Sequence, residues 1–314
     1  NANGAGAHIG IPIVTEKTSN DSIQFPHRSS VNQVYTLIIS NLLSADTLLS
    51  NTSATPYTFS SLAVKALLAR VYLSIDDWIN AKVYSNLVMA SARYSLVPHQ
   101  EYIEEWSDEY SSESIFSIPM SLTDNCGTSS IGYMLSKEGY GDLVSSNDLY
   151  TLYDDNDIRK SFFRKGKDIY YLKYPGRMNV LGIDNIPVIR YSEMYFIRAE
   201  ALTRLSLSNP SVKVLIQNIS RSLLDTIRKR VNPKSIPLKV EDEELISLIL
   251  QEKRKEFPFE GMRYFELKRN KESFTRKDGN SSSSSLSYPN YMWAFPIPAS
   301  EVNSNRNIIQ NQGY

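Results

Sequence analysis

Apolar residues in this chain recur mostly at three- and four-residue steps, the spacing of helices that bury one face. The pattern predicts a helix over Val31–Leu49, capped by Ser29 or Ser30, with Val34, Leu37, Ile38, Leu42, Ala45 and Leu49 as its stripe. After a polar linker, Ser50–Thr58, it predicts a helix pair, Ser60–Ser74 and Asp77–Ala92, joined at Ile75-Asp76 with Asp76 or Asp77 as cap. A second pair follows late in the chain. Its first helix, Pro187–Ser206, carries Met194, Ile197, Ala201 and Leu205 on one side. Asn209-Pro210 makes the turn, and Ser211 caps Val212–Val231, whose face is Leu215, Ile216, Ile219, Leu223 and Ile227. Two stretches leave the helical period: ESIFSIP (Glu113–Pro119) alternates like a strand, and FPIP (Phe295–Pro298) is extended.

The first pair has a finer pattern. Leu68, Ala69, Tyr72 and Ala81 fall at the spacing of a tetratricopeptide repeat, where small residues let two helices approach and the aromatic fills the gap beside them. Ser85 stands where that repeat expects an aromatic, so any antiparallel helix hairpin remains the competing reading. Trp78, at the start of the second helix, is either a sugar-stacking platform or a packing residue, and packing is the commoner use.

Residues 121–185 differ from both flanks. They are rich in Ser, Gly, Asn, Asp and Tyr, weak in periodicity, and hold a short helix starting after Ser145 or Ser146. A loop region this long inside a compact protein is usually functional or disordered. Aromatic faces beside Asn, Asp and Arg suit an amphipathic ligand such as a sugar or a peptide. Tyr133, Tyr140, Tyr174, Arg177 and Asn179 are the candidate ligand contacts, against the plain alternative that each tyrosine covers core.

Glu241–Asn270 opens with acids and closes with bases, as a helix dipole favours. Leu245, Leu248, Ile249, Glu252 and Glu256 share one face, and Pro258 demands a kink or a restart. Glu252, Glu256 and Glu260 cannot be buried unpaired, and Arg254 and Arg263 are the nearest candidate partners. Such a cluster is either an acid–base site or a structural ion-pair network. The three histidines, His8, His27 and His99, lie far away in sequence, and the network reading is preferred.

Length, 314 residues, suggests about two domains. Lys plus Arg balances Asp plus Glu at 34 each, which argues against nucleic acid as the main partner. Cys126 is the single cysteine, so neither an internal disulfide nor a cysteine zinc site can form. No cofactor and no metal site is expected. No apolar run reaches the ~18–20 residues of a membrane span, and NANGAGAHIG lacks the features of a signal peptide. Any export signal or lipid anchor is expected upstream of Asn1.

Several stretches together carry a resemblance. IGIPIVTE (Ile9–Glu16), VKALLARVYL with DDWINAK, ESIFSIP, PVIRYSEMYFIRAEA and QEKRKEFPFEGMRYFELKR (Gln251–Arg269) occur in the order of the SusD/RagB family, and the ending FPIPASEVNSNRNIIQNQGY follows the family's C-terminus. These are nutrient-binding surface lipoproteins of Bacteroidetes-type bacteria. The resemblance implies an all-α fold of tetratricopeptide-like helical repeats with a loop-rich ligand-binding lobe. The expected division is 1–121, a helical repeat region with an extended N-terminal segment; 122–185, the lobe; and 186–314, a C-terminal helical region with an extended tail. Arg190, Glu193, Arg198 and Glu200 would make helix-joining ion pairs. The implied function is non-catalytic binding of nutrient oligosaccharides and delivery to a SusC-like TonB-dependent transporter, on the extracellular face of the outer membrane, through a lipid anchor on the precursor. IGIPIVTE lies inside the family's sequence rather than at its start, so the family's N-terminal portion is expected to be absent here. Three alternatives stand beside this: a peptide-binding transporter lid of the RagB type, a repeat scaffold that binds another protein, and a glycosidase using two of Glu252, Glu256 and Glu260. Glycosidases set their carboxylates roughly 5–10 Å apart across a cleft, which one helix face does not easily provide.

Overall fold

The computed structural model describes residues 9–15, 25–50, 55–276, 278 and 284–314. In chain order the elements are β1 (Ile9–Pro12), β2 (Arg28–Ser30), α1 (Val31–Leu48), α2 (Ser61–Ser74), α3 (Trp78–Ala90), β3 (Ser114–Ile118), α4 (Ile131–Leu135), α5 (Asn147–Tyr150), β4 (Phe163–Lys165), β5 (Ile169–Tyr171), β6 (Ile186–Arg190), α6 (Tyr191–Leu207), α7 (Lys213–Val231), α8 (Asp242–Glu256), α9 (Arg263–Asn270), β7 (Phe274–Thr275), β8 (Ser285–Leu286) and α10 (Ala299–Ser304). Helices build the core. The strands form four two-stranded antiparallel ladders, β1–β2, β3–β6, β4–β5 and β7–β8. The fold is all-α, of tetratricopeptide-like helix pairs. No helix among the described residues is long and apolar enough to cross a membrane.

The chain divides into two compact units. The larger spans 45–263 with 277–279, and residues 122–185 lie wholly within it. Its first helix pair is α2 and α3. Ser60 accepts from Ala63 N to cap α2, and Asp77 accepts from Asn80 N to cap α3. Asp76, at φ 63°, takes the left-handed conformation between them. Ala63, Ala66, Ala69 and Ala81 have no exposed surface, so the two helices meet closely. Ser85 is buried too and donates to the Ala81 carbonyl. The aromatic that the repeat pattern places at Ser85 comes from the neighbouring position: Tyr84 stacks on Tyr72 at 5.4 Å. Trp78 is half-buried beneath the Arg204 guanidinium, 4.9 Å from its ring.

Next, α3 packs on α6, and α6 on α7 and α8. Phe196, Ala199 and Leu202 of α6, Leu223, Leu224 and Ile227 of α7, Leu245 and Ile249 of α8, and Phe257 form one buried cluster. Two expectations change here. Pro187–Arg190 is strand β6, not the first turn of α6. Pro187 and Ile186 pair with Ser117 and Ile118 of β3, so ESIFSIP gains the partner that makes it a strand. In α7, Leu215 is 65% exposed and Ile219 39%, so the buried face is turned away from them. Gln217 and Ser220 occupy core-facing positions instead: Gln217 donates to Ser206 at 2.9 Å, and Ser220 shares a 2.6 Å hydrogen bond with Thr203. A polar seam between α6 and α7 is invisible to hydrophobic periodicity alone.

The smaller unit comprises 1–44, 264–276 and 280–314. Arg28 ties its extended pieces together, donating to Gly10 O at 2.7 Å, Ile309 O at 2.8 Å and the Asn311 side chain at 2.9 Å. Trp293 is buried among Tyr264, Phe274 and Tyr288. No residue of Val31–Leu48 is buried. Of the run Ser281–Ser285, residues 281–283 lie outside the described residues.

Phe196 is 1% exposed at the centre of the α6–α7–α8 cluster. Phe196→Ala is expected to cost about 3–5 kcal/mol in urea denaturation, through lost burial and the cavity left behind.

Candidate functional site

The irregular lobe is fixed to the helices by buried charge. Asp157 accepts from Arg159 N to cap a one-turn 3-10 helix at Ile158–Phe162, and this sends the Arg159 side chain inward. There Arg159, 1% exposed, meets Asp157 at 2.7 Å, Glu252 at 2.9 Å and Glu256 at 3.3 Å. Lys255 bridges Glu252 at 2.9 Å and Asp157 at 3.1 Å. On the other side of Glu256, Arg230 of α7 approaches to 2.7 Å and Arg190, at the end of β6, to 3.2 Å. Both arginines also pair with Glu113, just before β3. Glu260 joins Arg190 at 2.9 Å and Lys173 at 2.5 Å, and Tyr102 donates to Glu256 at 3.1 Å.

Burial alone would push the fully enclosed Glu256 carboxyl up. The guanidiniums of Arg230, Arg190 and Arg159 outweigh it and hold the carboxyl well below the usual carboxylate range. Glu252 and Asp157 behave alike: burial opposes ionisation, and Arg159 and Lys255 restore it, so both titrate low.

Glu252, Glu256 and Glu260 therefore take other partners than expected from the nearby sequence. Arg254 points outward to Asp148, and Arg263 is half-buried at the start of α9. α8 ends at Glu256, just before Pro258, and the chain restarts as α9 after a tight turn. Glu193 of α6 pairs with Arg70 of α2 at 2.6 Å, a link between helices. Glu200 pairs at 2.9 Å with Arg204, one turn along its own helix. Arg198 presents a guanidinium nitrogen to Met89 Sδ at 3.9 Å, and its Nε is buried without a hydrogen-bond partner.

The lobe residues singled out from sequence separate into two groups. Tyr174 and Arg177 face inward. Tyr174 is 5% exposed and donates to Phe259 O at 3.3 Å. Arg177 is buried and donates to Met120 O, the Asn185 side chain and Glu109. They brace the lobe, which corrects their assignment as surface ligand contacts. Asn179 is exposed at φ 60° in the turn between Arg177 and Val180.

Tyr133 and Tyr140 meet. Their rings are edge-to-face at 5.1 Å, Tyr133 half-buried and Tyr140 57% exposed. Glycines flank Tyr140 for steric reasons. A Cβ at Gly139 would lie 2.1 Å from the Tyr133 carbonyl oxygen, and Gly141, at φ 60°, would bring one within 3.1 Å of the Tyr170 ring. Tyr170 thus closes on the same loop. It stands opposite Arg164 in the β4–β5 ladder, and Arg164 reaches Glu138 at 3.6 Å, both side chains exposed. The resulting face joins aromatic surface to an exposed arginine and carboxylate. Tyr170, Arg164 and Glu138 were not among the candidates read from sequence. The hairpin FRKGKDIYY, turning at Gly166, was the available signal, because it places Arg164 and Tyr170 side by side.

A shallow depression of about 380 Å³ lies elsewhere in the lobe, lined by His99, Tyr150, Asp155, Asn156, Lys160 and Ser161. The Tyr150 ring there already carries the ammonium groups of Lys160 at 5.1 Å and Lys165 at 4.6 Å, so it is a poorer stacking platform.

Comparison with known proteins places this architecture. The family model described as "SusD family" matches residues 176–314, and one described as "Starch-binding associating with outer membrane" matches residues 4–73. The crystal structure of a SusD superfamily protein from Bacteroides vulgatus superposes with a TM-score of 0.85 at 30% identity, covering 98% of this chain and 70% of that one. The chain belongs to the SusD/RagB family. Within that family, it is 31% identical over 155 residues to the starch-binding protein SusD of Bacteroides thetaiotaomicron, a match spanning 48% of this chain and 24% of that protein. It is 24% identical to a SusD-like protein of Formosa agariphila, over 83% of this chain and 62% of that one. The chain thus spans less than two thirds of the length of these two relatives. Tyr133, Tyr140 and Tyr170 fall between the two stretches that the SusD family models match.

Replacing Arg159 by Ala leaves Glu252 and Glu256 buried with an uncompensated charge. The expected loss is about 3–5 kcal/mol in urea denaturation. The low-titrating carboxyls contribute stability that is complete above their unfolded range, about pH 4, and disappears as pH falls through their folded values. Wild-type stability should therefore drop below about pH 4, and the drop should be smaller in Arg159→Ala.

Proposed function

We propose that this protein is a non-catalytic binder of nutrient oligosaccharides at the bacterial cell surface, and that it passes them to a SusC-like TonB-dependent transporter in the outer membrane. A lipid anchor on the full-length precursor would hold it on the extracellular face. The observation that carries the binding reading is the Tyr133–Tyr140 pair beside Tyr170, Arg164 and Glu138. Tyrosine rings cover the apolar faces of sugar rings, and the arginine and carboxylate hydrogen-bond hydroxyls. The starch-binding relative and the outer-membrane description of the matched family model support the same reading.

The carboxylates speak against glycoside hydrolysis in this reading. Glu252, Glu256 and Glu260 are enclosed and paired to cations, so none offers a proton to an entering substrate. A glycosidase also needs two carboxyl groups facing each other across a cleft. Peptide capture remains the second outcome of the test, because exposed tyrosines also pack on peptide side chains.

Calorimetry against oligosaccharide and peptide panels tests the proposal. One glycan class should bind, and Tyr140→Ala should weaken it at least tenfold, about 1.4 kcal/mol, with the urea midpoint unchanged. Peptide binding alone would replace the glycan reading. Glycan binding untouched by Tyr140→Ala would move the site elsewhere.

A further inference from the structure

Glu105 is a buried carboxyl that joins none of the ion pairs just described. Glu105 sits in a one-turn 3-10 helix, Glu104–Ser107, with its side chain buried and Oε1 without a hydrogen-bond partner. Its charged surroundings come from three elements: Glu113 before β3, Arg190 at the end of β6, and Arg230 in the last turn of α7. Next to it, the Trp106 ring lies under Lys173 at 4.3 Å and Arg190 at 5.3 Å. Tyr102 stands beside Arg230 and Glu256, and the His99 ring bonds Arg230 O at 2.8 Å.

The linked pairs are already balanced. Among the described residues they join five cations, Arg159, Lys173, Arg190, Arg230 and Lys255, to five carboxylates, Glu113, Asp157, Glu252, Glu256 and Glu260. Glu113 is saturated as well, taking Val97 N and Arg230 on one oxygen and Ser192 N and Arg190 on the other. An ionised Glu105 would be a sixth buried negative charge, competing for Arg190 and Arg230. Those arginines hold Glu256, on which Arg159 of the lobe is anchored. Arg190 also shares Glu260 with Lys173, the lobe's other anchor.

We propose that Glu105 is carried as the neutral acid, and that its proton is a latch: it keeps the lobe docked on the helices, and its loss loosens Arg159 and Lys173 together. Burial and the Glu113 charge, working against Arg190 and Arg230, push this carboxyl up to about 8. A folded value raised above the ordinary one gives stability that is complete below the unfolded pKa. That stability is lost as pH rises through the folded one.

Hydrogen exchange of the full chain, corrected for intrinsic rates and read on segment 157–174, tests the latch. Protection in the wild type should fall about tenfold per pH unit between about pH 6 and pH 8, then level off. Glu105→Gln, which carries the neutral shape permanently, should remove that slope. His99 is kept in the variant, so any slope it causes stays. A flat wild-type profile, or an equal slope in Glu105→Gln, overturns the proposal. Should the variant not fold, infrared difference spectra of the wild type decide. A neutral-acid carbonyl band present at pH 6 and lost near pH 8 supports the latch, and its absence at pH 6 overturns it.

Discussion

The Glu256 carboxylate is the constraint on which the larger unit depends. It has no exposed surface, and three guanidiniums from three separate elements converge on it. None of those charges is tolerable in the interior alone. Arg159 needs Glu252 and Glu256, Arg190 needs Glu256 and Glu260, and Arg230 needs Glu113 and Glu256. Helix α8, the β6–α6 junction, the end of α7 and the irregular lobe are therefore fixed by one set of mutual requirements. Apolar packing builds α6, α7 and α8 into a block, while charge pairing sets where a region with few periodic apolar residues attaches to it.

This division explains what the sequence could and could not reveal. Periodicity marked both helix pairs, since one-sided burial leaves a record at every third or fourth position. It failed at Pro187–Arg190, where a strand feeds straight into α6 and apolar residues run on without a break. It failed again at Leu215 and Ile219, because Gln217 and Ser220 take their places in the interior. The acids of α8 announced that they needed cations. Arg159 was beyond local reasoning, standing 93 and 97 positions from Glu252 and Glu256.

The candidate binding face was legible to a smaller degree. Tyr133 and Tyr140 stood out in an aromatic, polar stretch. Tyr174 and Arg177 had the same composition but opposite fates, because burial in a loop depends on distant partners: Phe259 for the one, Met120, Asn185 and Glu109 for the other. The family's matched stretches carry much of the anchoring machinery, whereas the three tyrosines lie between those stretches.

The most direct measurement is nuclear magnetic resonance of the chain with its tyrosine side chains isotope-labelled, titrated with the oligosaccharide that binds. The account predicts shifts concentrated at Tyr133, Tyr140 and Tyr170, with the buried Tyr102, Tyr153 and Tyr174 unmoved. Shifts centred on Tyr150, or spread across the buried rings, would contradict the assignment of the binding face.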